Sequence, residues 1–223
     1  MQDMERKLLI FDLDGTLVDT LPSITKAINM CAEHFGYPKK TSEEVRLAVG
    51  NGVDVLLRET MPKEEWETEE QRLKIKSYFA SCYETTQREI DSCYSGIMEA
   101  LVCAKEKGFL LAVLSNKPDA LVQIIVKNLF DDGFICKSMG QTDMPKKPDP
   151  YVPLLLAKTL DVLQQNTYFI GDSEVDVLTG KNAGMKTVAV SWGFRDRKVL
   201  EESKPDIIID TRAELLEYFG NLT

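Results

Sequence analysis

The sequence has a single histidine, His34, no Cys-x-x-Cys pair and fewer positive than negative charges. Each shortage narrows the chemistry. One histidine leaves no room for most zinc sites, which gather several His or Cys ligands, and little for a Ser-His-Asp arrangement. The five cysteines, Cys31, Cys82, Cys93, Cys103 and Cys136, are odd in number and scattered. Free thiols in a reducing compartment are therefore expected, not disulfides or a zinc cluster. Lys and Arg number 27 against 36 Asp and Glu, for a net charge of −9. That balance argues against nucleic acid, whose phosphates are held by basic patches. It leaves room for a small anion that needs only a few local cations. No run reaches the roughly 18 apolar residues of a membrane helix, and the N-terminal stretch MQDMERKLLIFDLDG lacks the apolar core of a signal peptide. A cytoplasmic protein with no membrane and no nucleic-acid partner is expected.

What is present is a pattern of alternating elements. The 223 residues fit a core domain with a smaller insert. KLLIFD (residues 7–12) reads as a strand buried on both faces. Residues 20–90 then read as helical. Asp19 or Thr20 can cap a helix with Pro22 in its first turn, and Ile24, Ile28, Cys31 and Phe35 recur at helical spacing before Gly36. Thr41-Ser42-Glu43-Glu44 has the form of a capping box, Gly50-Asn51-Gly52 is a sharp break, and residues 62–90 form one or two amphipathic helices. After Gly96, strands and helices alternate. Strands are expected at 109–114, 133–139, 168–170, 186–191 and 206–209, with helices at 97–107, 118–130, 150–160, 174–183 and 213–219. Such alternation implies an α/β fold, a Rossmann-like parallel sheet with right-handed crossovers. The expected division is a core of residues 1–18 and 91–223 around an all-helical insert, 19–90.

Ligands of open parallel sheets bind beyond the carboxyl ends of the strands. Those ends offer Asp12 and Asp14, then Ser115 and Asn116, then Gly171, Asp172 and Asp176, with a Lys-Pro loop (Pro145–Pro150) between the last two groups. Several carboxylates at one point repel unless a cation neutralises them. Oxygen donors without histidine favour Mg²⁺ over zinc. A metal beside a free carboxylate suits phosphoryl transfer, which depends on positioning and charge neutralisation. Gly15 and Gly171 would let backbone N–H groups approach an anion. Ser115 adds a hydroxyl donor and Lys147 a positive charge.

Four motifs stand in a recognisable order: Asp12-Leu13-Asp14-Gly15-Thr16, Ser115-Asn116, Lys147-Pro148, and Gly171-Asp172-Ser173 with Asp176. The sequence resembles the haloacid dehalogenase superfamily of phosphatases, in its branch with a helical cap, over about residues 8–190. The resemblance implies a Mg²⁺-dependent hydrolase of a small phosphorylated metabolite. Asp12 would be the nucleophile, forming an aspartyl-phosphate, and also a metal ligand. Asp14 would protonate the leaving group and then activate water, its backbone carbonyl binding the metal. Lys147 completes the catalytic set. It is preferred over Lys146 because it directly precedes Pro148. Gly15, Thr16, Ser115 and Asn116 would hold the phosphoryl group, and Asp172 and Asp176 would complete the metal site. Ser173 reads as a helix cap. The second acid, Asp14, excludes dehalogenation, because the dehalogenases of the superfamily lack it.

The insert falls where the family's helical cap lies, which implies closure over small substrates. Val49-Gly50-Asn51-Gly52-Val53 is similar to a loop of phosphoglycolate-phosphatase-like members, so phosphoglycolate is the leading substrate. Either that loop, through Gly52, reaches the leaving group, or its glycines only shape a tight turn. Arg58 and Arg46 are candidate contacts for a substrate carboxylate, and Trp192 a candidate for the pocket entrance. Cys93 stands where many relatives carry proline, at the return from cap to core. A β-phosphoglucomutase-type mutase or an inorganic pyrophosphatase of the same fold would share the catalytic set. Thr16, where many such mutases have valine, weighs against the mutase. A phospho-Asp binding switch is the non-enzyme alternative. The sequence leaves open whether the chain is a monomer or a homodimer.

Overall fold

The computed structural model describes residues 6–222. Residues 1–5 and Thr223, the ends of the expected core, lie outside that range. Six parallel strands form one sheet: β1 (Leu8–Phe11), β2 (Leu110–Pro118), β3 (Lys137–Gln141), β4 (Thr167–Gly171), β5 (Lys186–Val190) and β6 (Ile207–Ile209). Their order is β3-β2-β1-β4-β5-β6, so the expected α/β parallel sheet forms with β1 in its interior.

The four residues of β1 are fully buried because both faces of the sheet are covered. Side chains alternate across a strand. Leu9 and Phe11 enter the core built with α5 (Ile97–Glu106) and α10 (Arg212–Asn221). Leu8 and Ile10 enter the opposite core, with α7 (Tyr151–Thr159). Phe219 on α10 is fully buried and meets Phe11 edge-on, ring centres 6.1 Å apart. Phe219→Ala is expected to destabilise the protein by about 3–5 kcal/mol in urea unfolding, through lost burial and the cavity left behind. A loss below about 1 kcal/mol would mean that the core collapses onto the gap.

Between β1 and β2 the chain forms α1 (Leu21–Phe35), α2 (Ser42–Ala48), α3 (Val53–Thr60), a 3-10 turn (Lys63–Trp66) and α4 (Glu69–Gln87). Asp19, not Thr20, serves the start of α1: its Oδ1 accepts from Leu21 N–H at 3.4 Å, while the Thr20 side chain makes no capping bond. The capping box at Thr41 forms, with Glu44 N–H donating to Thr41 Oγ1 and Thr41 N–H donating to Glu44 Oε2. Ile24, Ile28, Val45, Leu57, Ile75 and Phe79 make the insert's own apolar cluster. Two core residues enter it: Leu121 from α6 (Asp119–Leu129) and Phe194 from the loop after β5.

The structure departs from the sequence reading in three places. Strand β2 runs on through Ser115, Asn116, Lys117 and Pro118. Strand β3 begins at Lys137, not residue 133, because Gly133 takes a left-handed turn (φ +80°). Helix α9 (Arg197–Ser203) lacks an amphipathic signature, since its sequence RKVLEES has only two apolar residues, and it was not expected. The last helix before it, α8 (Glu174–Asn182), is where it was anticipated. Among the described residues no helix is long and apolar enough to cross a membrane.

Candidate active site

Sheet connections leave β1 in opposite directions, towards β2 and β3 on one side and β4 to β6 on the other. Crevices of this kind open beyond the strand ends. Asp12 follows β1 immediately, and its N–H donates to Ile170 O of β4 at 2.8 Å. Asp172 follows β4. Ser173 then caps α8 in a capping box with Asp176: Ser173 Oγ and N–H donate to Asp176 Oδ2 at 2.5 and 3.1 Å. The cap turns Asp176 back towards the strand ends. Asp12, Asp172 and Asp176 each offer an oxygen, all within 4.8 Å of one another, and all three are buried.

Two glycines owe their place to these acids. A Cβ on Gly171 would lie 2.2 Å from Asp176 Cγ, and one on Gly15 (φ +82°) 2.4 Å from Asp172 Oδ2. Their smallness accommodates carboxylates, where the sequence reading expected it to accommodate an anion. Thr16 is fully buried and its hydroxyl donates to Asp172 Oδ1 at 3.4 Å, while Phe194 N–H donates to Asp172 Oδ2 at 2.6 Å.

Two buried lysines face the acids. Lys147 Nζ lies 2.6 Å from Asp176 Oδ1 and 2.9 Å from Asp12 Oδ1. The second contact is close but misaligned, so Asp12 Oδ1 is buried without a hydrogen-bond partner. Lys117 Nζ lies 2.8 Å from Asp14 Oδ1 and donates to the Tyr83 hydroxyl of α4, also at 2.8 Å. Burial pushes Asp12 up to about 7; Lys147 opposes this, and Asp176 and Asp14 add to it. Burial, reinforced by Asp176 and Asp12, holds Asp172 well above the ordinary carboxylate range. Burial works against the Lys147 ammonium, but Asp12 and Asp176 outweigh it and raise its pKa.

Four buried carboxylates against two lysines leave an excess of negative charge. A divalent cation offsets such an excess. Three clustered carboxylates, one with an unpartnered oxygen, fit an ion that prefers oxygen donors.

A cavity of about 40 Å³ lies over these groups, lined by Asp12, Asp14, Ser115, Lys117, Lys147 and Asp172, among others. Ser115 and Gly52 border it. Asn116 also borders it, but its amide is engaged by the protein: Nδ2 donates to Gly50 O and Lys147 O at 3.1 Å each, and Oδ1 accepts from Lys147 N–H at 2.9 Å. In this structure Asn116 therefore braces Lys147 and ties it to the insert. Arg58 is not brought to the cavity. It sits exposed on α3, 3.1 Å from Glu59 Oε1, because its position faces away from the insert's apolar side. Arg46 pairs with Glu43 and Asp196 and donates to Phe194 O. Lys146 donates to Asn51 O at 2.8 Å, so of these two adjacent lysines it is Lys147 that sits among the acids. Trp192 does not line the cavity; its Nε1 donates to Thr16 O at 3.1 Å.

The sequence reading missed Lys117, Tyr83 and the Phe194-Arg195 pair. A lysine continuing the apolar run LLAVLSNK was a usable signal for the first. Nothing local marks the others. Arg195 donates to Glu174 Oε2 (3.1 Å), Arg46 O (3.2 Å) and Val49 O (2.7 Å), joining partners far apart in sequence.

The family model described as haloacid dehalogenase-like hydrolase matches residues 9–190. A phosphoglycolate phosphatase of Vibrio parahaemolyticus is 32% identical over 222 residues, covering 97% of each chain. One from Mannheimia succiniciproducens is 32% identical over 220 residues, covering 95% of this chain and 97% of the relative. A crystal structure described as a predicted phosphoglycolate phosphatase from Haemophilus somnus 129pt superposes with a TM-score of 0.87 at 30% identity, covering 97% of this chain and 99% of that one.

Proposed function

The chain belongs to the haloacid dehalogenase-like hydrolases and is a phosphatase, and we propose that it hydrolyses phosphoglycolate with Mg²⁺ bound among Asp12, Asp172 and Asp176. The observation that carries the reading is the place of Asp12: it stands at the end of the interior strand β1, clustered with Asp172 and Asp176 and 2.9 Å from Lys147. When bound, the cation neutralises phosphoryl oxygens and the acids around them.

The remaining work falls to the chain itself. An Asp12 oxygen forms a bond to phosphorus as the bond from phosphorus to the ester oxygen breaks, and Asp14 gives that oxygen its proton. Asp14 then takes a proton from a water whose oxygen attacks phosphorus. The bond to Asp12 breaks and phosphate leaves. Lys147 and the Ser115 hydroxyl hold the phosphoryl oxygens, and Asn116 keeps Lys147 in place. Residues 19–90 act as a cap over a core of 1–18 and 91–223. The names of the relatives make glycolate the leading leaving group. The same reading makes a small phosphorylated metabolite the partner, as a monomer or homodimer in the cytoplasm.

The test is a panel of phosphoglycolate, pyrophosphate, nucleoside monophosphates and sugar phosphates with Mg²⁺. Phosphoglycolate is expected to show a kcat/KM at least about tenfold above the rest, a discrimination that a few polar contacts can supply. A higher value for pyrophosphate, or isomerisation of a sugar phosphate without phosphate release, would overturn it.

A further inference from the structure

Among the described residues, three cations line the cavity: Lys147, Arg195 and Lys117. Lys147 is held by Asp12 and Asp176. The Arg195 guanidinium is committed to Glu174 and to the carbonyls of Arg46 and Val49. Lys117 differs. Its side chain is 0% exposed, and its ammonium donates to Asp14 Oδ1 and to the Tyr83 hydroxyl. An ammonium carries three hydrogens, so one remains. The Tyr83 hydroxyl accepts from Lys117, and among the described residues nothing accepts its own hydrogen. Two unfilled donors, one of them charged, thus sit side by side at the cavity wall, next to the acid assigned to the leaving oxygen.

We infer that Lys117 and Tyr83 form the subsite for an anionic leaving group, and that they select phosphate esters with a carboxylate on the carbon bearing the ester oxygen. The inference rests on the phosphatase reading and on Asp14 meeting the ester oxygen. A carboxylate one carbon beyond that oxygen falls beside Asp14, where Lys117 already is. A charged, buried donor pair discriminates strongly, because an analogue lacking the acceptor leaves both donors unpaired. Tyr83 comes from α4 of the insert and Lys117 from β2 of the core. The subsite is therefore complete only with the insert packed down as it is here.

The experiment compares phosphoglycolate with 2-hydroxyethyl phosphate, in which the carboxylate is replaced by an alcohol, using wild type, Lys117→Met, Lys117→Arg and Tyr83→Phe. Wild type is expected to prefer phosphoglycolate at least about tenfold in kcat/KM. Lys117→Met is expected to lose at least about tenfold more on phosphoglycolate than on the neutral ester, mainly through KM, because a hydrogen bond to a charged group is lost on one substrate only. Lys117→Arg should recover part of the preference, and Tyr83→Phe should narrow it by about threefold to tenfold. Equal losses on both esters would show that Lys117 only positions Asp14, and would overturn the inference. Should Lys117→Met fail to fold, Tyr83→Phe decides by the same criterion. A wild type that prefers the neutral ester overturns the inference and leaves the phosphatase intact. Turnover of neither ester takes down the proposed substrate and the inference together.

Discussion

Asp12→Asn is expected to lower phosphate release by about 10⁴-fold or more while leaving the protein folded, since removing a nucleophile that acts with its partners as a unit forfeits most of the chemistry. The same substitution is expected to stabilise the metal-free protein at pH 8. Burial raises the Asp12 carboxyl to about 7, so above that pH the native state holds a charge that its surroundings disfavour. A neutral amide of the same shape removes that burden, worth about 1–4 kcal/mol by the conversion of pKa shift to free energy. Loss of the Lys147 contact offsets part of it, but Lys147 keeps Asp176 at 2.6 Å. Activity and thermal melting measured together check this. Near-wild-type turnover would remove Asp12 from the chemistry, and a lower melting temperature at pH 8 would mean that Lys147 needs Asp12 more than burial penalises it.

Chelation with EDTA is expected to abolish turnover, and Mg²⁺ to restore it. The stability of the metal-free protein should carry the matching signature. The folded-state values of Asp12 and Asp172 lie above the ordinary 3.8. Between about pH 4 and 7 the native state therefore holds protons that the unfolded chain has released, and stability falls as pH rises through that window. A bound cation favours the ionised carboxylates, so protons compete with it. The increase in melting temperature on adding Mg²⁺ should grow across the same window as Asp12 gives up its proton. At a hundredfold excess over Kd the stabilisation is about 2.7 kcal/mol, or about 5–10 °C for a chain of this size. A shift independent of pH, or none, would contradict a cation among these acids.

The fold is legible where strands are apolar runs bounded by acid, glycine or small polar residues: KLLIFD ends at Asp12, YFIG at Gly171 and FLLAVL gives way to Ser115-Asn116, and all three contribute to interior strands. Asp12, Asp14, Ser115, Asp172 and Asp176 stand out as candidates because each lies at or shortly after such a run, and Lys147 because it directly precedes Pro148. The sequence does not reveal what those residues touch. Lys117 meets Asp14 across 103 positions, and Thr16 meets Asp172 across 156. No local pattern encodes such pairings. Arg58 illustrates the converse error. A cation near a glycine loop reads as a ligand for an anion, yet helix α3 turns it outward to Glu59. The resemblance implies that Asn116, as part of the Ser115-Asn116 motif, holds the phosphoryl group. The fold gives its amide to Lys147 and Gly50, which only the three-dimensional path of the Pro145–Pro150 loop makes adjacent.

The loop after β5 has a bearing on how relatives of this chain can exchange parts. Phe194 fills the insert's apolar cluster while its own N–H holds Asp172, and the next residue, Arg195, grips the carbonyls of Arg46 and Val49. The insert is thus not a transferable module bounded by its two chain crossings. A graft that brings in foreign helices for residues 19–90 but keeps the host's loop confronts Phe194 with an unmatched hole and Arg195 with displaced acceptors. The resulting misfit lands on the backbone that steadies Asp172. Substrate preference can be transplanted in this scaffold only when the Phe194-Arg195 clasp travels with the helices it fastens.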